Sequence, residues 1–280
     1  MTRGTEAGPA AIEARAVRFG YGRDALFDGL DLAVARGSMT ALIGPNGSGK
    51  TTLIRLLSGS IPPQGGELLL EGRLLSRLAP RARARLLAVV PQDTALTFDV
   101  TVLEMVLMGR TPYLGWLGLE SHGDLAAARR AMACTGTLPF ASRLLSRLSG
   151  GERQLAVVAR ALAQEPRTLL LDEPTAYLDV RHRLQVYELL ARLNRESGLT
   201  ILTTSHDINL AARYCGRMVL LKDGRIRADG PAAQVFQPAI LAEVYGTPLH
   251  VFSDPVTGTP HAVPGRPAAG SVDVPAGPVL

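Results

Sequence analysis

Residues 44–52 read GPNGSGKTT and fit the pattern G-x-x-x-x-G-K-[ST], with Gly44, Gly49, Lys50 and Thr51 in its fixed places. The chemistry of such a run is phosphate binding. Glycines at 44, 47 and 49 let successive backbone N–H groups turn inward and approach an anion closely. Pro45, Asn46 and Ser48 complete the loop, and Thr52 follows it. A helix opening at Lys50 adds its positive dipole end. Lys50 is placed to reach β- and γ-phosphates, and the Thr51 hydroxyl to sit on Mg²⁺. Ser149, Gly150 and Gly151, inside LSGGERQ, put small residues and free N–H groups at another helix N-terminus, which is an anion site by construction. An acid pair, Asp172-Glu173, ends one apolar run, and His206 follows a second in the same way.

These residues need strands and helices to hold them. Met39–Ile43 reads as a buried strand before the loop, and Thr51–Leu57 as the first turns of a helix after it. The opening from Ile12 is strand-like and turns around Gly20–Arg23, with Tyr21 in the turn. Glu67–Leu70 and Leu86–Val90 read as strands on either side of a basic helix near Ala79–Arg85, and Gln92 follows the second strand. Thr101–Met108 has helical spacing, with Asp99 or Thr101 as its cap, and Asp124–Cys134 is helical again. LSGGERQ opens a helix to about Gln164. Thr168–Leu171 and Thr200–Thr204 are apolar strands, and Val180–Glu196 is an amphipathic helix ended by Gly198. Met218–Leu221 and Ile226–Ala228 form a hairpin, followed by two short helices and strands near 249–263. Strands alternating with helices imply a largely parallel sheet. The expected division is a mobile leader over 1–11, a main domain over 12–240 with helices inserted at about 99–160, and an extension over 241–280 whose last part is disordered.

Composition narrows the function classes. The chain of 280 residues carries a net charge of +5, and lysine occurs only at 50 and 222. The arginines are scattered, the densest group being Arg81, Arg83 and Arg85, with no interleaved aromatics of the kind a nucleic-acid surface uses. No apolar run reaches the ~18 residues of a membrane span, and the N-terminus lacks a signal-peptide core, so the chain is expected in the cytosol. Cys134 and Cys215 are too few for a disulfide framework and read as small buried residues. Tyr113, Leu114, Trp116 and Leu117 either form a partner surface or pack the insert.

Taken together, the motifs resemble those of the ATP-binding subunit of ABC transporters, over roughly residues 12–240. The resemblance implies an α/β fold: a RecA-like, P-loop parallel-sheet core with an antiparallel β subdomain and an inserted helical subdomain. It implies that ATP is bound with Mg²⁺ at Thr51, Gln92 and Asp172. It implies that Glu173 polarises the attacking water, that His206 contacts the γ-phosphate, and that Gln92 contacts the metal and the water. Tyr21 matches the aromatic that stacks on adenine. In the family, two copies dimerise head to tail, so Ser149, Gly150, Gly151 and Glu152 of one copy close on the ATP of the other, and Asp179 lies in the turn that communicates across the dimer. Glu152 stands where the common form has glutamine.

GRTPYLG, GPAAQVF and LAEVYGTPLHVFSDPVTGTP look like segments of the ATPases of iron–siderophore, haem and vitamin B12 importers. That resemblance implies a homodimer under an integral-membrane permease, at the cytoplasmic face of the membrane, with a substrate-binding protein on the far side and no nucleic acid. The competing readings are the same engine on another ABC transporter, or a soluble ABC ATPase acting on DNA or the ribosome. A single phosphate loop and the absence of a long heptad insert argue against the last. A P-loop kinase or GTPase has no use for LSGGERQ.

Overall fold

The computed structural model describes residues 10–22, 24–92, 99–116 and 118–265. In chain order its strands are β1 (Ala10–Tyr21), β2 (Asp24–Ala35), β3 (Met39–Ile43), β4 (Gly65–Leu70), β5 (Arg73–Leu74), β6 (Leu87–Val90), β7 (Thr168–Leu171), β8 (Thr200–Ser205), β9 (Arg217–Lys222), β10 (Arg225–Gly230), β11 (Leu249–Ser253) and β12 (Pro260–Pro264). The helices are α1 (Lys50–Leu57), α2 (Pro80–Ala84), α3 (Val102–Leu107), α4 (His122–Thr135), α5 (Gly150–Ala163), α6 (Val180–Ser197), α7 (Ile208–Tyr214), α8 (Ala232–Val235) and α9 (Pro238–Tyr245).

The central sheet has the order β10-β9-β3-β8-β7-β6 and is parallel throughout except for the edge strand β10. A parallel sheet is buried on both faces, which is why its strands read as unbroken apolar runs. Leu42, Leu170, Leu202, Val219 and Leu221 point to one face and pack with Leu53, Ile54, Leu56 and Leu57 of α1 and with the second sheet. That sheet, β2-β1-β4-β5, is antiparallel. Ala41, Ile43, Leu169, Leu171, Ile201, Met218 and Leu220 point the other way, into a core shared with α3, α4, α5, α6 and α7.

The register places four strand ends side by side: Ile43 pairs with Ser205, Leu171 with Thr203, and Val90 with Leu171. The segments leaving β3, β8, β7 and β6 therefore emerge together at the carboxyl edge, where open parallel sheets bind ligands.

Several expectations shift. Tyr21 is the last residue of β1 and not part of the turn. The first strand begins at Ala10, inside the expected leader, and residues 1–9 lie outside the described part. Thr101, not Asp99, caps α3 through a capping box with Glu104. The expected boundary at 240 falls within α9, whose Leu241 and Val244 are buried in the core. The β11–β12 hairpin is fastened to α7, where the Asn209 amide donates to the Ala262 carbonyl (3.0 Å) and accepts from its N–H (2.8 Å). The tail from 266 lies outside the described residues.

Candidate functional site

A cleft of about 910 Å³ opens at this carboxyl edge. One wall is the loop between β3 and α1. Gly49 N-caps α1 with φ of 105°, and a Cβ there would stand 2.8 Å from the Phe27 ring, so neither the conformation nor the space admits a side chain. Gly44 and Gly47 also have positive φ. Asn46, Gly47, Gly49, Lys50, Thr51 and Thr52 line the cleft. The buried Lys50 ammonium folds back into the loop and donates to the carbonyls of Gly44 (2.8 Å) and Pro45 (3.0 Å). Burial lowers its pKa, against the opposing charges of Glu173 and Asp172. Ser48 Oγ is buried without a hydrogen-bond partner among the described residues. Tyr21 stands half exposed at the rim, its ring edge-on to Phe19 and its hydroxyl 3.3 Å from Thr52 Oγ1.

The opposite wall comes from β7, β8 and β6. Asp172 is buried, and its Oδ1 accepts from Thr51 (3.2 Å) and Thr204 (2.9 Å). Glu173 has a left-handed backbone with φ of 49°, a strained conformation for this residue type. Its N–H is held by Thr204 Oγ1 at 2.7 Å, so one threonine at the end of β8 fixes both acids. The Glu173 carboxylate accepts from Gln92 Nε2 at 3.0 Å on one oxygen and contacts His206 Nε2 on the other. Asp172, Glu173, His206 and Gln92, predicted from three separate strand ends, are thus brought to the phosphate loop. The rest of the glutamine loop, 93–98, lies outside the described residues.

A hydroxyl (Thr51) and a carboxylate (Asp172) in mutual contact are hard oxygen donors of the kind Mg²⁺ takes when phosphate oxygens supply the remainder. The described residues hold no trio of His, Cys, Asp or Glu suited to a metal. A cation shared with phosphate does not require one.

The second predicted anion site is elsewhere. Ser149 N-caps α5: its hydroxyl accepts from the Glu152 N–H (3.3 Å), and the Glu152 carboxylate accepts from the Ser149 N–H (2.8 Å) and hydroxyl (2.9 Å). This reciprocal capping box orders the helix start and holds the Glu152 carboxyl below its ordinary pKa, chiefly through the Ser149 N–H. Ser149 and Gly150 are exposed, and Ser149, Gly150, Gly151, Glu152 and Asp179 all lie outside the cleft lining. Asp179 N-caps α6 by accepting from the His182 N–H at 2.9 Å.

The residues of the apolar stretch are placed differently from one another. Tyr113 packs, with the Arg110 guanidinium 3.9 Å and that of Arg85 4.7 Å from its ring centre. Trp116 is 92% exposed; Leu117 lies outside the described residues. Sequence reasoning missed Thr204, which looks like an ordinary strand residue, and Tyr177, an exposed residue of left-handed backbone at the cleft rim. No spacing rule marks either. It also missed the buried pair Arg110–Asp124 (2.9 Å) that fastens 108–113 to α4.

A phosphate loop facing an acid pair across a parallel sheet defines a P-loop nucleotide hydrolase, and its particular family follows from the comparisons. The sequence pattern of the ABC transporter family matches residues 27–176. The probable siderophore transport system ATP-binding protein YusV of Bacillus subtilis is 40% identical over 257 residues, covering 92% of this chain and 94% of that protein. The hemin import ATP-binding protein HmuV of Streptomyces coelicolor is 43% identical, covering 92% and 91%. Among solved structures, an inward-facing putative metal-chelate type ABC transporter superposes with a TM-score of 0.81 at 27% identity, over 92% of this chain and 98% of that one. The chain belongs to the ABC transporter family, as an ATP-binding subunit that hydrolyses ATP. No helix among the described residues is long and apolar enough to cross a membrane.

Proposed function

We propose that this chain powers uptake of an iron chelate, a ferric siderophore or haem, through a membrane permease. The two relatives described above are named for siderophore transport and hemin import. The ATPase step rests on one observation above all: Glu173 is held between Gln92 and His206 on the wall facing the phosphate loop.

In this reading Tyr21 stacks on adenine, while the N–H groups of residues 44–52 and the Lys50 ammonium take the phosphates. Thr51 and Asp172 would hold Mg²⁺, with Gln92 beside them; the ion supplies charge neutralisation on the phosphate oxygens. Glu173 orients the attacking water and accepts its proton, and Gln92 and His206 keep that carboxylate aimed. His206 also serves as a donor to the γ-phosphate. The capped start of α5, lying outside its own cleft, fits a head-to-tail dimer in which it closes on the ATP of a second copy. The dimer sits at the cytoplasmic face, and a substrate-binding protein delivers the chelate on the other side. Nucleic acid has no part.

The test combines two measurements. Tagged chain is recovered from gently solubilised membranes, and cells lacking the chain are assayed for uptake of radioiron siderophore, haem and labelled cobalamin. A polytopic permease in equal amount and loss of siderophore or haem uptake are expected. Loss of cobalamin uptake alone overturns the iron assignment, and recovery only with ribosomes or DNA-processing proteins overturns the transport assignment.

A further inference from the structure

The start of α5 and the turn before α6 meet at one side chain. His182 Nδ1 lies 2.9 Å from Asp179 Oδ1, the same oxygen that accepts the His182 N–H. The imidazole lies flat against Gly151. A Cβ built on Gly151 would fall 2.0 Å from His182 Cδ2, 2.3 Å from Cγ and 2.6 Å from Nε2. Gly151 is helical and its φ is outside the left-handed region, so backbone conformation does not require glycine there. His182 thus touches the two exposed elements that lie outside the cleft, through one polar and one steric contact. It does not line the cleft itself.

We propose that His182 is a positioning residue that clamps the Asp179 turn and the start of α5 into one rigid unit, so that both reach the ATP of the second copy in a fixed relation. Gly151 is then glycine because the His182 ring occupies the space of its Cβ. This rests on the head-to-tail reading. The clamp reduces the cost of closure, since the two elements are already mutually ordered before the copies meet. It also accounts for a helix that tolerates glycine in its first turn, where alanine would ordinarily be favoured.

The test uses the full chain carrying Glu173→Gln, with ATP-dependent dimerisation followed by sedimentation velocity, binding of a fluorescent ATP analogue at low protein concentration, and thermal melting. His182→Ala is expected to raise the protein concentration needed for dimerisation about 10-fold, the size of losing a hydrogen bond to a charged group, and to leave nucleotide binding unchanged. His182→Asn, whose amide can replace Nδ1 as donor to Asp179, recovers most of the loss. Gly151→Ala abolishes dimerisation and lowers the melting temperature, and adding His182→Ala restores both to the level of His182→Ala alone. Unchanged dimerisation in His182→Ala, or equal damage from Gly151→Ala with and without the imidazole, overturns the clamp. If the Glu173→Gln parent itself fails to dimerise with ATP, the head-to-tail reading falls. The melting-temperature coupling between Gly151→Ala and His182→Ala then still decides the packing claim.

Discussion

Two helix starts in this molecule carry the small-residue pattern expected of anion sites, and they are built differently. The start of α1 is recessed: glycine at its N-cap, no capping side chain, a buried lysine folded into the loop and a cleft in front of it. Its orphan N–H groups are left for a ligand. The start of α5 is exposed and already satisfied in part by its own capping box between Ser149 and Glu152. A site that holds phosphate alone needs the first design. A surface that adds the last contacts to a phosphate held elsewhere needs the second, ordered in advance and accessible. A third helix start sharpens the contrast. The start of α4 repeats the capping box with Ser121 and Asp124, but Asp124 is buried and paired with Arg110. The same local motif serves stability where it is buried and is available for function where it is exposed.

The comparison can be broken most sharply at Lys50. Replacing it with alanine removes a charge-assisted contact from the recessed site, and nucleotide binding should weaken by roughly 10²-fold, about 2–3 kcal/mol. Fluorescent-nucleotide titration checks this; unchanged affinity would mean that the α1 start is not the primary phosphate site. The smallest effect on nucleotide affinity belongs to the buried box at α4. Bonds from the Ser121 hydroxyl and N–H, and then the Arg110 guanidinium, hold the Asp124 carboxyl down at about 2 from an ordinary 3.8. A depressed acid contributes stability that is complete above about pH 4 and is lost as pH falls toward 2. Acid unfolding followed by circular dichroism should therefore show a stability loss over that window in the parent, and a flatter acid limb with lower stability at neutral pH in Asp124→Asn. Nucleotide affinity should not change.

Much of this was legible in the sequence because it is local. The phosphate loop, the acid pair after β7 and the histidine after β8 are each fixed by a strand end and the residues beyond it. Apolar runs locate such ends well. The helix stop at Gly198 and the hairpin of β9 and β10 followed from local signals for the same reason. What escaped is non-local. Thr204 serves Asp172 and Glu173 from 32 and 31 residues away. Arg110 reaches the Ala163 carbonyl across 53 residues. His182 meets Gly151 only after two helices have packed. The packing of strands and helices decides these meetings, and periodicity in one segment carries no information about which element becomes its neighbour.

The central claim is that the start of α5 completes the nucleotide site of another copy and takes no part in its own. The most direct test is ATP-driven dimerisation of Glu173→Gln with and without Ser149→Arg, measured by sizing alongside nucleotide affinity. Glu173→Gln is expected to hydrolyse ATP at least ~10²-fold more slowly while keeping its affinity, as for other lost electrostatic groups, and to shift to a dimer when ATP is added. Ser149→Arg should abolish that shift and leave nucleotide affinity intact, at a cost of about 1 kcal/mol in stability for the lost cap. An unchanged dimer, or a loss of nucleotide affinity in the isolated chain, would contradict the account.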